Sequence, residues 1–245
     1  MDLWMLVVIG FITTFVGTLA GSGGLIGMPS MLLVGLPIHS AIATAKFSNT
    51  LSSFSSFYFL LKNKQISFSS ALKTAPFALG GGITGGILAN SISEETMTIM
   101  AIFLLSLALV LALIRKPIEK DSADLMKIDK KIFPYLFGIG IYDGMFGPGQ
   151  STLLMYTYLH KGFTYLKAMA FTRFQTFLSC FGSFFLFLSA GHFNIQVGLS
   201  YALGAIIGAQ LAVRVAKRMK VLYLKRLLHI VTVILIVQLT LKVVL

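Results

Sequence analysis

Long stretches of this sequence are apolar and almost uncharged, and this limits the fold more than any other feature. Residues 3–20, which read LWMLVVIGFITTFVGTLA, contain no charged side chain. A helix needs about 20 apolar residues to cross the hydrocarbon core of a membrane. The segments are continuously apolar, whereas strands of a membrane barrel alternate apolar and polar residues. With 56% hydrophobic and 11% charged residues, the sequence predicts an all-α, polytopic membrane protein.

The hydrophobic pattern predicts about 8–10 helical segments in the 245 residues. Two of these, near 23–36 and 150–160, are shorter than a complete crossing requires, so we expect broken or re-entrant helices there. Glycines at 80–82, 85–86, 204 and 208 should allow neighbouring helices to pack closely. The predicted segments lie near 3–20, 23–36, 40–61, 69–90, 97–114, 132–147, 150–160, 168–190, 195–213 and 227–244.

A charged connector at 115–131 divides the chain into an N-terminal membrane repeat, 1–114, and a C-terminal membrane repeat, 132–245. When residues 41–61 are placed over 168–188, an offset of 127 residues, nine of 21 positions are identical and Lys46 falls on Arg173. Chance similarity between two apolar segments is the alternative explanation. The match predicts an internal repeat.

The loops of the two halves differ in their content of basic residues. Lys62 and Lys64 follow the third segment, while the corresponding loop near 189–192 has no Lys or Arg. The connector is also basic, and basic loops remain in the cytoplasm. We therefore expect two inverted repeats, with the N-terminus outside and the connector in the cytoplasm. Inverted repeats are typical of secondary transporters, which bind their substrate between the halves.

Glycine-rich breaks interrupt the apolar pattern once in each half, at 18–29 and at 142–152. A helix that restarts after such a break directs its free N–H groups and the positive end of its dipole into the gap, which favours an anion. Close packing of helices is the alternative role for these glycines. The glycines predicted to contact a substrate are Gly21, Gly23, Gly24, Gly147 and Gly149.

Lys46 and Arg173 lie several residues inside apolar segments, where a charge costs about 2.5–3.5 kcal/mol. Either side chain could instead extend to the membrane interface. If both remain inside, two equivalent cations point to a site for an anion. Asp143 is the sole acid outside the termini and loops, and it is either a proton carrier or a structural partner of Arg173 or Lys46.

Neutral polar side chains near the breaks and cations complete the predicted substrate site, and they are Thr44, Asn49, Gln150, Ser151 and Thr172. The serines at 52, 56, 179 and 183 have the spacing of small residues in tight helix packing. The histidines at 39, 160, 192 and 229 fall at segment ends and are predicted to be interfacial.

Several classes of function find no support in the sequence. It contains no nucleotide-binding loop, metal-spaced His/Cys cluster or nucleophile motif, so we expect no enzyme activity, no cofactor and no metal. The net charge of +12 comes from basic residues at helix ends, so we expect a lipid bilayer as partner and no nucleic acid. The sequence leaves the oligomeric state open.

The two breaks and the residues after them resemble the sulfite exporter TauE/SafE family, also called the toluene sulfonate uptake permease family. These stretches read GSGGLIGMPSMLLVGLPIHSAIATAKFSN and YDGMFGPGQSTLLMYTYLHKGFTYLKAMAFTRFQ. The resemblance covers essentially the whole chain, although Ser22 interrupts the first glycine triplet and Gln150 replaces a glycine common in the second. It implies a multi-pass carrier of the bacterial inner membrane, for anions such as sulfite, thiosulfate or sulfonates.

The residue pattern predicts a secondary transporter for a small anion, with proton coupling through Asp143 as a hypothesis. The family resemblance implies a sulfur compound as the substrate. An anion channel, or a structural membrane protein without coupled transport, is the alternative. The sequence leaves the direction of transport and the coupling ion open.

Overall fold

The computed structural model describes residues 2–21, 23–114 and 130–216, and within them the chain is helical without strands. The predicted segment at 227–244 and most of the connector lie outside the described residues. A short 3-10 turn, Lys130–Ile132, precedes the second half. The ten helices described are α1 (Leu3–Ala20), α2 (Gly24–Leu33), α3 (Ile38–Lys62), α4 (Phe68–Leu72), α5 (Ala75–Asn90), α6 (Glu94–Ile114), α7 (Phe133–Met145), α8 (Gln150–His160), α9 (Tyr165–Ser189) and α10 (Ile195–Val215).

The all-α architecture is confirmed, but one predicted segment is divided. The segment at 69–90 consists of α4 and α5, because the chain turns at Lys73 and Thr74 before Pro76 in the first turn of α5. Proline suits the first turn of a helix, where its missing N–H is not needed. Among the described helices, α1, α9 and α10 are long and apolar enough to cross a membrane.

Helices of the N-terminal half pack mainly against helices of the C-terminal half. The helices α3 and α9 lie against each other, α1 packs on α10, and α5 packs on α7. In addition, α10 contacts α3 in the same way that α5 contacts α9. These contacts correspond between the halves, but α7 also packs on α9, whereas the corresponding helices α1 and α3 do not pack on each other to the same extent. The inverted orientation of the halves in the membrane stays a prediction.

Glycines allow these helices to approach closely, as the sequence predicts. A Cβ on Gly208 would lie 3.0 Å from the backbone nitrogen of Phe15 in α1, and one on Gly81 would lie 2.9 Å from Gly140 in α7. Small residues at such contacts are characteristic of membrane helices. Buried apolar side chains form one cluster around the start of α3 and the end of α9, and a second around the opposite ends.

The start of α3 is fixed by a side chain from α6. The carboxylate of Glu94 accepts hydrogen bonds from the backbone N–H groups of Ile38 (3.1 Å) and His39 (3.4 Å). It also lies 2.8 Å from Nδ1 of His39, whose Nε2 lies 3.1 Å from the carbonyl oxygen of Ala89. The His39 ring stacks on His192 with 4.7 Å between centroids. His39 is thus buried among protein side chains at the start of α3, and its position at the membrane interface stays a prediction.

Candidate functional site

The two glycine breaks meet inside the helical assembly. Gly21 ends α1 with φ +81°, in the left-handed region that favours glycine. Its carbonyl oxygen accepts a hydrogen bond of 2.9 Å from the hydroxyl of Thr152 in α8. A Cβ on Gly24 would lie 2.8 Å from the Cα of Pro148, so the start of α2 also contacts the second break. The chain thus joins segments about 130 residues apart in sequence into one site.

A cavity of about 50 Å³, measured for the centres of water-sized spheres, lies where the breaks meet. Most of the predicted site residues line it. Thr44 and Thr172 do not, and their buried hydroxyls have no partner among the described residues. The predicted residues that line the cavity are Gly21, Gly23, Gly24, Lys46, Asn49, Asp143, Gly147, Gly149, Gln150, Ser151 and Arg173.

Lys46 is buried, with 1% of its surface exposed, and is paired with the acid of the second break. Its ammonium donates to Oδ1 of Asp143 at 3.0 Å and also to the Asp143 backbone carbonyl. The other carboxylate oxygen, Oδ2, accepts a hydrogen bond from the hydroxyl of Ser179. Asp143 therefore has Lys46 as its cationic partner in the described residues. The alternative that Lys46 extends to the membrane interface does not fit this geometry.

Arg173 is also buried, with 4% exposed, but it is held differently. Its Nε donates to the hydroxyl of Ser56 at 2.8 Å, and one terminal nitrogen donates to Ser52 at 3.4 Å. Within the part of the chain that the structure describes, no carboxylate pairs with this guanidinium. Lys46 has an internal counter-ion, whereas the partners of Arg173 among the described residues are neutral serines.

Three of the four serines that were predicted to mark helix packing also form hydrogen bonds with charged groups of the site. Ser52 and Ser56 contact Arg173, and Ser179 contacts Asp143. The reason is that α9 lies against both α3 and α7. Ser52 and Ser56 of α3 therefore face Arg173 of α9, and Ser179 of α9 faces Asp143 of α7. Ser183 bonds within its own helix, to the carbonyl of Ser179.

Gln150 organises the start of α8. Its Nε2 donates to the hydroxyl of Thr176 at 3.2 Å, and its Oε1 accepts from the hydroxyl of Ser151 at 2.9 Å. These contacts join the second break to α9 and keep the amide at the edge of the cavity.

Sequence reasoning missed part of the lining. Thr13 and Thr14 of α1, Met28 and Met31 of α2, and Tyr201 of α10 all line the cavity. Two adjacent threonines inside an otherwise apolar helix were a signal available in the sequence. The methionines and Tyr201 carried no such signal, because their positions depend on how the helices pack.

The arrangement supports binding of an anion better than metal or acid–base chemistry. Lys46, Arg173 and Asp143 together leave one net positive charge next to the cavity. The starts of α2 and α8 add the positive ends of two helix dipoles. Within the described residues, no group of three or more His, Cys, Asp or Glu side chains is placed to hold a metal ion.

The chain is similar to several known proteins. The chain matches the model of the family Sulfite exporter TauE/SafE over residues 6–239. It is 32% identical to a probable membrane transporter protein, ORF9, of a Sinorhizobium species, with 96% of this chain and 90% of that protein covered. It is also 29% identical to a probable membrane transporter protein of Haemophilus influenzae, with 84% and 82% covered. Identity to the probable membrane transporter protein YfcA of Escherichia coli is 24%, with 86% and 80% covered. No solved structure matches the chain.

Proposed function

The chain belongs to the sulfite exporter TauE/SafE family of membrane transporters, and we propose that it is a secondary carrier of a small anion. The anion binds in the cavity where the two glycine breaks meet, close to Lys46 and Arg173. The two halves move alternately around this site, which is the usual mechanism of carriers built from inverted repeats. The chain is proposed to cross the bacterial inner membrane several times, with the 115–131 connector in the cytoplasm.

The charge balance of the cavity is the observation that carries this proposal. Two buried cations and one buried carboxylate line the cavity, so one positive charge has no acidic partner among the described residues. An unpaired buried charge costs several kcal/mol. A bound anion removes this cost, and the cavity therefore favours anions over neutral or cationic solutes.

The volume of the cavity limits the ligand. One water molecule needs about 10–15 Å³ measured in this way, so a cavity of about 50 Å³ admits an ion of about three to five non-hydrogen atoms. Sulfite, small sulfonates and small carboxylates have this size. Because the family description names sulfite, sulfur oxyanions and sulfonates are the first candidates.

Asp143 is the proposed proton carrier if transport is coupled to protons. It is the sole carboxylate among the described residues of the cavity, and it lies next to a cation that it neutralises. Asp143→Asn should bind the substrate but fail to accumulate it when a pH gradient is the only driving force. If the variant still accumulates substrate under these conditions, Asp143 is a structural counter-ion alone.

A channel for anions is the rival function, and turnover rate separates the two. Single channels in a planar bilayer give currents far above the rate of a carrier. Discrete anion currents from the purified protein would contradict the proposed carrier.

The test of the proposed function is a screen for binding. Purified protein is heated in the presence of sulfite, thiosulfate, sulfate, methanesulfonate or acetate, and a ligand of the folded state raises the unfolding temperature. We expect stabilisation by at least one sulfur anion, and loss of this effect in Arg173→Gln. Arg214→Gln is the matched control, because Arg214 is an exposed arginine near the end of α10. Equal stabilisation of both variants would contradict a site at Arg173.

A further inference from the structure

We propose that Arg173 alone binds the negative charge of the substrate. Lys46 does not contact the substrate, because Asp143 already neutralises it within the protein. This inference rests on the proposed anion transport and assigns different roles to the two cations. One half of the site carries its own carboxylate, and the other half receives a negative charge from the substrate.

The repeat relates the two cations but gives only one of them an acid. Lys46 and Arg173 correspond at an offset of 127 residues, and an offset of 126 or 127 places Asp143 over Gly17 or Val16. Neither of these residues of α1 carries a charge. Gly17 nevertheless lines the cavity, as Asp143 does. Among the described residues, the position that corresponds to Asp143 therefore brings no carboxylate to the cavity beside Arg173.

The two cations also differ in the hydrogen-bond acceptors that the protein provides for them. The Lys46 ammonium contacts both the carboxylate and the carbonyl of Asp143. A guanidinium has five N–H groups, and the described residues provide Arg173 with only two serine hydroxyls as acceptors. Thr14, one turn before Gly17 on α1, lines the cavity with a buried hydroxyl that has no partner among the described residues. Arg173 and Thr14 thus leave donors free on the side of the cavity that lacks an acid.

The charge balance then selects the class of substrate. Lys46 and Asp143 cancel, so a single negative charge at Arg173 makes the loaded cavity neutral. A dianion would leave one excess negative charge in a low-dielectric interior, which is unfavourable. We therefore expect a monoanion with oxygen acceptors, such as a sulfonate or a carboxylate, to bind more tightly than sulfate.

The experiment measures the affinity of the purified full-length protein for methanesulfonate, acetate, sulfite and sulfate by calorimetric titration. Arg173→Gln should weaken binding of the monoanions about 10–150-fold, the effect of losing a charged hydrogen-bonding partner. Lys46→Gln should also weaken it, because the Asp143 carboxylate then remains without its cation. The double variant Lys46→Gln/Asp143→Asn removes both charges and should return to within about threefold of wild type.

The outcomes separate this inference from the proposed function. If the double variant binds as weakly as Arg173→Gln, Lys46 contacts the anion and the inference is overturned, although the protein remains an anion carrier. If sulfate binds wild type more tightly than both monoanions, the charge argument is overturned. If wild type binds none of the four anions, both the proposed function and the inference fail.

A further variant distinguishes loss of the binding contact from loss of the folded structure. Arg173→Lys keeps the charge but loses the planar arrangement of donors, so it should bind more tightly than Arg173→Gln and more weakly than wild type. Equal affinity of wild type and both Arg173 variants would overturn the inference. Thermal unfolding without ligand establishes that each variant is folded before its affinity is compared.

Discussion

Gly147→Ala should disturb the Lys46–Asp143 pair directly. Gly147 has φ +104°, and a Cβ at this position would lie 2.9 Å from Oδ1 of Asp143 and 2.9 Å from Nζ of Lys46. Both distances are shorter than ordinary contacts of a Cβ. The added methyl group must therefore displace the Lys46 ammonium or the Asp143 carboxylate from its present position.

Gly35→Ala is the matched control for this substitution. Gly35 has a similar φ of +95°, and a Cβ at this position would have nothing within 4 Å. Both variants should lose about 1–3 kcal/mol from the strained backbone. Gly147→Ala should lose a further amount of about 1.5–3 kcal/mol, because a hydrogen bond between charged groups is weakened.

Thermal unfolding in detergent measures the difference in stability between the two variants, at about 2–4 °C per kcal/mol. We expect Gly147→Ala to unfold at the lower temperature and to bind methanesulfonate more weakly than Gly35→Ala. Equal unfolding temperatures and equal affinities would refute the importance of the ion pair for the site.

Three other predictions concern Glu94, the pKa of His192 and the topology of the chain in the membrane. Glu94→Ala should destabilise the protein by about 0.5–2 kcal/mol because the start of α3 loses its cap, and the exposed neighbour Glu95 provides the control variant; equal losses would contradict this. Burial, and then the proximity of His39, lower the pKa of His192, so its NMR titration should have a midpoint below about 6.5. Because this pKa is lower in the folded state, stability should fall as pH drops through the unfolded-state pKa of about 6.5 towards that midpoint, and a midpoint above about 6.5 would contradict the prediction. Cysteines introduced at positions 121 and 192 should react with an impermeant reagent from opposite sides of the membrane, and labelling from one side would contradict the inverted repeat.

The helices could be predicted well from the sequence where strong local signals end them. The predicted bounds of α1 and α8, 3–20 and 150–160, agree with the structure. Asp2 caps α1 by accepting a hydrogen bond from the Trp4 N–H, and Gly149 precedes α8 in a left-handed conformation. The turn between α4 and α5 could not be predicted in the same way, because Lys73 is the single charge there and the apolar pattern resumes directly after it.

The charged residues of the candidate site could be predicted from the sequence, and its serine contacts could not. Charged residues and glycine breaks are unusual in apolar segments, so Lys46, Arg173 and Asp143 were identified from the sequence. Which cation pairs with Asp143 depends on how α3, α7 and α9 are placed relative to one another, and the sequence left both choices open. The contacts of Ser52 and Ser56 depend likewise on how α3 packs on α9. The sequence alone does not distinguish a serine that packs between helices from one that bonds a charged group.

Solute counterflow in proteoliposomes tests the central claim most directly. Vesicles containing the purified protein are loaded with unlabelled methanesulfonate or sulfite and diluted into a trace of the same labelled anion. A carrier should accumulate the label transiently inside the vesicles, with saturation at high concentration and loss of uptake in Arg173→Gln. A channel only equilibrates the label, without transient accumulation. Absence of transient accumulation for every anion that binds the purified protein would contradict the proposal that this chain is an anion carrier.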